Sequence, residues 1–256
     1  MRSTLLSIHK LMLQSPVTRK VHRKILGKIK EGFGVPDPYV DLVRIMNTVA
    51  SPTVLDVGSF VGVTIQRFMD LYGQPVAIHG FEPTSESYTK LAMRFHGHAA
   101  VKIHNLALSN TNGTAVLFKN SFAQMNSLLQ NAEGNEEAFP ELSKPTGEQS
   151  VQTRRLDDWA TSNIPSGPLI VKCDIQGAEG KFVEGGAATL SDRVVAILSE
   201  AQLRNMYKGQ TDFFELHARL LELGFELFNI YPCLTDTRGQ SLQTDCLWVK
   251  PDVWNG

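Results

Sequence analysis

Cysteine is scarce in this 256-residue chain, with only Cys173, Cys233 and Cys246. They lie far apart, without the paired spacing of a zinc site. Their odd number argues against a disulfide framework and for a reducing setting, the cytoplasm. Long apolar runs are also missing, since no stretch reaches the roughly 18–20 residues that span a bilayer. The opening "MRSTLLSIHKLMLQSP" breaks its apolar residues with polar ones and offers no small-residue cleavage site, so no signal peptide is read. Nor is there an excess of charge: 25 basic and 26 acidic residues leave a formal net charge of −1. That balance supplies no general attraction to nucleic acid or membrane.

The average conceals an asymmetry. Residues 1–30 carry eight Lys or Arg and no acid, which leaves 17 basic against 26 acidic residues in the remainder, a surplus of negative charge that repels phosphate backbones. Val17, Val21, Ile25 and Ile29 recur at every fourth position between Arg19, Lys20, Arg23, Lys24 and Lys28, the pattern of a basic amphipathic helix. A solvated face of a helix packed on its own domain is the simplest reading; peripheral contact of residues 1–30 with an anionic membrane is the second. The chain therefore divides into a basic helical segment over 1–34 and a main domain over 35–256. Nothing in the composition excludes a homo-oligomer.

From residue 53 onward short β-rich runs alternate with helical patterns. Strands are expected at 53–57, 76–81, 101–104, 169–173, 194–199, 225–230 and 246–250, and helices near 61–72, 84–95, 179–188 and 210–223. That alternation predicts an α/β, Rossmann-like domain: a seven-stranded, mostly parallel sheet covered by helices on both faces. No helix separates the last two strands, so the final one should pair antiparallel. Residues 119–150 interrupt the rhythm with weak periodicity and many turn formers. A connection this long is expected to be a lid or acceptor-binding insertion. In it, Met125, Leu128 and Leu129 read as lid packing, and Asn126 and Ser127 as acceptor contacts.

The first strand opens into a glycine turn, "VLDVGSFVG". Ligands of open parallel sheets sit at such carboxyl ends. A dinucleotide turn requires G-x-G-x-x-G, whereas Gly58 and Gly62 are spaced G-x-x-x-G; a P-loop requires G-K-[ST], but Val63 and Thr64 follow Gly62. S-adenosylmethionine (SAM) carries no phosphate, so its turn needs only a close backbone approach and an acid for the methionine end, which Asp56 offers. Glu82, in "GFEP", stands where a carboxylate accepts ribose hydroxyls, though an acid there suits NAD as well.

Asp174 ends the fourth main strand beside this turn and is the first candidate for a general base; Glu200, ending the next strand, is the second. Lys172 shares strand parity with Asp174 and so faces the same side, where its charge would keep Asp174 ionised. Glu179 falls in the first turn of the following helix, where a structural and a catalytic role weigh equally. His79, His104 and Cys173 read as core residues. No His, Cys and carboxylate set has metal spacing, so no metal is assigned.

These segments, "LDVGSFVG", "GFEP", "NLALSN" with "NGTAVLF", "RLDDW", "LIVKCDIQGAEGKFVEGG" and "ILSE", resemble in order and spacing the FkbM-type SAM-dependent methyltransferases over roughly residues 53–230. The resemblance implies a class I methyltransferase fold, SAM as cofactor, and O-methylation of a small-molecule or glycan acceptor such as a sugar or polyketide-like product. It places Asp56, Gly58, Ser59, Phe60 and Gly62 on the cofactor turn, Glu82 and Pro83 at the ribose, and Asn105 and Ala107 at the adenine edge. Lys172, Asp174, Gly177 and Glu179 fall on the family's K-x-D-x-x-G-A-E block. Ser59-Phe60 departs from the family's usual Ala-Asn, leaving Ser59 to supply any polar contact. Gln176 departs from its frequent Glu, so little weight rests on that position. The competing readings are an NAD-linked oxidoreductase or epimerase, which lacks its glycine pattern and Tyr-x-x-x-Lys, and a non-catalytic SAM-binding or scaffold protein, which needs no base.

Overall fold

The computed structural model describes residues 36–73, 75–164 and 166–254; the basic segment expected over 1–34 lies outside them. In chain order the elements are α1 (Pro38–Met46), β1 (Thr53–Val57), α2 (Val63–Tyr72), β2 (Ala77–Phe81), α3 (Ser85–Arg94), β3 (Val101–His104), β4 (Ala107–Leu108) and β5 (Gly113–Asn120). A 3-10 turn (Ala123–Met125), α4 (Glu133–Ala138), β6 (Pro145–Arg154), α5 (Leu156–Asn163), β7 (Leu169–Cys173), α6 (Glu179–Gly185) and α7 (Ala187–Asp192) follow. The chain continues through β8 (Val194–Gln202), α8 (Phe213–Glu222), β9 (Glu226–Ile230), β10 (Leu234–Thr235), β11 (Ser241–Val249) and α9 (Pro251–Trp254).

The main sheet runs β3-β2-β1-β7-β8-β11, and β9 and β10 both pair with β11. β3, β2, β1, β7 and β8 are mutually parallel, whereas β11 is antiparallel to β8 and to β9. The seven expected strands are all present, and the last pair is antiparallel as expected. β10 adds a two-residue edge.

Alternation along the central strands divides the core into two layers. Leu55, Val57, Val171 and Ile197 face α5, α6 and α8 through Trp159, Phe182 and Leu216. Val54, Ile170, Leu198 and Leu247 face α1, α2 and α3 through Leu42, Ile45, Phe68 and Leu91.

One expectation needs correcting. The stretch 119–150 is not one long irregular connection: it begins in β5 and ends in β6, which pair antiparallel over nearly their full length, and β4 adds parallel to β6 in a second, three-stranded sheet. The 3-10 turn and α4 lie between the two long strands and form a cap. Helices α1 and α5 were likewise not anticipated.

Strand order reverses at β1, which sends the chain to β2 on one side and lies against β7 on the other. The carboxyl ends of β1 and β7 meet there, the position that open α/β sheets use for ligands.

Candidate active site

β1 ends in a turn that only glycine can make. Gly58 has φ +86°, and a Cβ on it would stand 1.9 Å from the Asp174 carbonyl oxygen, so the backbones after β1 and β7 touch. Gly58 and Ser59 N–H both donate to Phe81 O, tying the turn to β2. Gly62 (φ +77°) starts α2, and a Cβ there would strike Phe95 and Leu91. Phe60 holds φ +48° without being glycine. Ser59 is buried and its hydroxyl donates to Asp56 O at 2.7 Å, so it is committed to the turn.

Above the turn opens a cleft of about 340 Å³, lined on one side by Gly58, Ser59, Phe60, Glu82, Pro83, Ala107, Asp174 and Gln176. Glu82 fixes its rim: Oε2 accepts from Phe60 N–H at 2.9 Å and Oε1 from Thr84 N–H at 2.7 Å. Burial pushes its pKa up despite these bonds. Asn105 is not on the cleft wall. Its amide donates to Glu82 O and Pro83 O at 2.9 and 3.0 Å, and its side faces a separate, shallow depression shared with His104 and Trp159. Gly62 also stands behind the wall, as does Asp56.

A buried charged cluster underlies the second side. Asp56, Lys172, Glu200 and Asp245 share the α1–α2 face of the sheet, with Asp56 opposite Lys172 and Glu200 opposite Asp245 in register. Lys172 Nζ donates to Asp174 Oδ2 at 2.8 Å, and Gln176 Nε2 to Asp174 Oδ1 at 2.8 Å. Burial favours the neutral acid, but the Lys172 charge and these two bonds outweigh it and hold the Asp174 carboxyl below its ordinary range. Burial likewise disfavours the Lys172 ammonium, yet Asp174, Tyr39, Asp245 and Asp56 keep its pKa well above the usual lysine value. Asp56 is fully buried, neither carboxylate oxygen has a hydrogen-bond partner, and burial raises its pKa to about 6.

Glu200 is wrapped in amides. Gln176 Nε2 at 3.2 Å and Gln202 Nε2 at 2.7 Å reach Oε1, and Gln243 Nε2 reaches Oε2. Burial, then the neighbouring Asp174 and Glu179, push its pKa well above the ordinary glutamate value. Glu179 ties the helix start back to the loop after β7: its Oε1 accepts from Ile175 N–H at 2.9 Å, and burial raises its pKa to about 7.

Gln176, given little weight from sequence, is the hub of this side. It adopts φ +58°, its Nε2 bridges Asp174 and Glu200, and its Oε1 accepts from Tyr207 OH at 2.6 Å. Its carbonyl accepts from Ser127 Oγ at 2.7 Å, so Ser127 is engaged with the scaffold. Tyr207, Gln243 and Asn135 also line the cleft. No motif marked them, because they come from three separate places in the chain, the segment after β8, the strand β11 and helix α4; the nearest signal was the amide-rich character of 120–135. Of the residues named for the lid, Met125, Asn126, Ser127 and Leu128 line the cleft, and Leu129 packs behind with Met206 and Tyr207.

Among the described residues no group of three or more His, Cys, Asp and Glu is placed to hold a metal ion, and no helix is long and apolar enough to cross a membrane. The arrangement is a cleft with one oriented carboxylate, a second acid held at its rim by backbone N–H groups, and several amides.

The family described as "Methyltransferase FkbM domain" matches residues 56–227. The chain is similar to the 2-O-methyltransferase NoeI of Sinorhizobium fredii, 26% identical over 198 residues that span 75% of this chain and 72% of that protein. Among solved structures it is similar to Aeropyrum pernix fibrillarin with natively bound SAM, at 10% identity and TM-score 0.46, covering 79% of this chain and 68% of that one. A magnesium protoporphyrin IX methyltransferase of Synechocystis with bound SAM, at 10% identity and TM-score 0.41, covers 92% and 84%. With most of its length inside the family match, the chain belongs to the FkbM methyltransferase family and is a SAM-dependent methyltransferase.

Proposed function

We propose that the chain transfers a methyl group from SAM to a hydroxyl of a carbohydrate or polyketide-like small molecule, with Asp174 taking the hydroxyl proton. The Asp174 carboxylate carries this reading. It stands beside the Gly58 turn with its side chain 35% exposed on the cleft, while Lys172 and Gln176 each hold one oxygen. That the relative NoeI is named a 2-O-methyltransferase supports oxygen as the acceptor atom. Three unpaired cysteines support a cytoplasmic setting.

The residues present fit SAM. Gly58 lets the backbone form a floor without a Cβ, and each Glu82 oxygen keeps lone-pair capacity beyond its one backbone bond for a ribose hydroxyl. Pro83 and Ala107 supply apolar surface for the adenine, and buried Asp56 places negative charge under the methionine end. When bound, the cofactor supplies an electrophilic methyl group on a sulfonium.

Asp174 then orients the acceptor hydroxyl. An alcohol becomes strongly acidic as its oxygen bonds to carbon, so even a carboxylate held below its usual pKa accepts the departing proton. Lys172 keeps that carboxylate charged, and Gln176 fixes its rotamer. Glu200, which accepts from the same Gln176 amide, acts as a positioning residue. The cleft walls hold the acceptor oxygen in line with the methyl carbon, so the reactants lose little further translational and rotational freedom on reaction.

Calorimetric titration with SAM, S-adenosylhomocysteine and NAD tests the cofactor half. Binding of the first two, none of NAD, and loss of binding in Glu82→Ala are expected; binding of NAD alone overturns the reading. Labelled-SAM assays over a panel of polyols and glycosides test the chemistry. Asp174→Asn should lower kcat by about 10²–10⁴ with cofactor affinity retained, and an undiminished kcat would remove Asp174 from its role.

A further inference from the structure

Four of the large apolar side chains exposed among the described residues line the cleft: Val63 at the start of α2, and three that do not belong to the helices packed on the sheet. Phe122 and Leu142 on the cap and Leu234 on β10 are between 41 and 45% exposed. Phe122 N–H donates to Leu142 O at 3.0 Å, which fixes the two cap positions as neighbours. The mouth is therefore a preformed apolar rim with one wall from the cap and one from the main sheet's edge.

Deeper in, two amides present unused groups. Asn126 Oδ1 accepts from Asn120 N–H at 2.8 Å, which sets the amide's orientation and leaves its buried Nδ2 a donor without a partner. Asn135 is fully buried, and its Nδ2 donates to Asn131 Oδ1 at 2.9 Å, leaving Oδ1 an acceptor without a partner. Both residues line the cleft. Buried polar groups in folded proteins are nearly always satisfied, so a donor and an acceptor left open on one wall point to a ligand that supplies both. A hydroxyl does so, donating once and accepting through its lone pairs.

Charge narrows the choice. The acids Glu82 and Asp174 line the cleft, and among the described residues no Lys, Arg or His does. A phosphate or carboxylate on the acceptor would meet like charge with no cation to offset it.

Resting on the methyl-transfer reading of this cleft, we propose that the acceptor is an uncharged amphiphile. Asn126 Nδ2 and Asn135 Oδ1 read its hydroxylated head, and Phe122, Leu142 and Leu234 cover an attached apolar group. The cap thereby selects against sugar phosphates and nucleotide sugars.

The test is calorimetric titration of the full chain saturated with S-adenosylhomocysteine, using methyl β-D-glucoside, octyl β-D-glucoside below its micellar range, and glucose 6-phosphate. The octyl compound should bind roughly tenfold or more tightly than the methyl one, from burial of its methylenes, and the phosphate should not bind. Leu142→Ser should remove most of the octyl advantage. Asn126→Ala should weaken both glucosides by a similar factor, about fivefold, by deleting a hydrogen bond made to the head. Equal affinities, binding of neither glucoside, preference for the phosphate, or an octyl advantage intact in Leu142→Ser would each overturn the proposal. The preceding titration with S-adenosylhomocysteine separates the two readings: its failure sinks the cofactor assignment, whereas its success with no discrimination among the glucosides sinks the acceptor class alone.

Discussion

At the scale of single residues, the site depends on carboxylates that burial and one lysine drive in opposite directions. Asp174 gains the direct contact of Lys172, which holds its carboxyl below the ordinary range, while Glu200, one strand away and reached only by amides, is pushed well above its own. Asp56 is the extreme case, because Lys172 acts on it only through space and nothing hydrogen-bonds its carboxylate. Its folded pKa of about 6 lies above the ordinary aspartate value of 3.8, so the native state binds this proton more tightly than the unfolded chain. The group's contribution to stability is therefore greatest below about pH 4, declines between about 4 and 6, and stays low above that. At 1.36 kcal/mol per unit, the decline is of order 3 kcal/mol. Asp56→Asn removes the titration. In denaturant melts the variant should gain on the parent by roughly that amount between pH 4 and pH 8, and a difference independent of pH would refute the assignment.

At the scale of elements, legibility followed burial. β1 and β7 read directly from "TVLDV" and "LIVKC" because strands covered on both faces are continuous apolar runs. β6, "PTGEQSVQTR", buries only Val151 and Thr153, so its extended form is set by pairing with β5 rather than by its own residues. Helix α5 has eight residues, too few to show a period, although Asp157 and Asp158 in its first turn were a usable signal. Helix α1 carried one too: Pro38 at its first position, followed by Leu42, Ile45 and Met46 on one face. The cap was illegible for another reason. It is held by an amide chain in which Asn135 donates to Asn131, Asn131 to Asn120, and Asn120 to Met125 O. Polar residues at irregular spacing resemble a loop until their partners are known. Asn131→Ala cuts the chain at its middle and also loses the bond to Ser143 O. Hydrogen exchange should then speed up over residues 118–145 while β1, β7 and β8 stay protected. Uniform exchange across both sheets would show that the cap does not open on its own.

At the scale of the whole molecule, the β1–β2 side of the cleft was visible in the sequence and the side built by the cap and the sheet edge was not. Gly58, Glu82 and Asp174 lie at strand ends, where the order of strands alone predicts convergence. Tyr207, Gln243 and Leu234 reach the same cleft from loops and edge strands whose positions depend on how β8, β10 and β11 pack, information no local pattern carries. The cleft is thus assembled from β1, β2, the cap, β7 and the β10–β11 edge, and a ligand bound there is bound only by the folded chain. Such a ligand stabilises the fold by about 2.7 kcal/mol at a hundred times its Kd. For a domain of this size each kcal/mol raises the melting temperature by about 2–4 °C. Saturating S-adenosylhomocysteine should therefore raise Tm by roughly 5–10 °C, growing with the logarithm of its concentration. Glu82→Ala should need proportionally more ligand for the same rise, since the carboxylate proposed to meet the ribose is gone. Scanning calorimetry across a concentration series decides it: a comparable rise with NAD, or a parent-like response in Glu82→Ala, would place the ligand elsewhere than the β1–β2 end of the cleft.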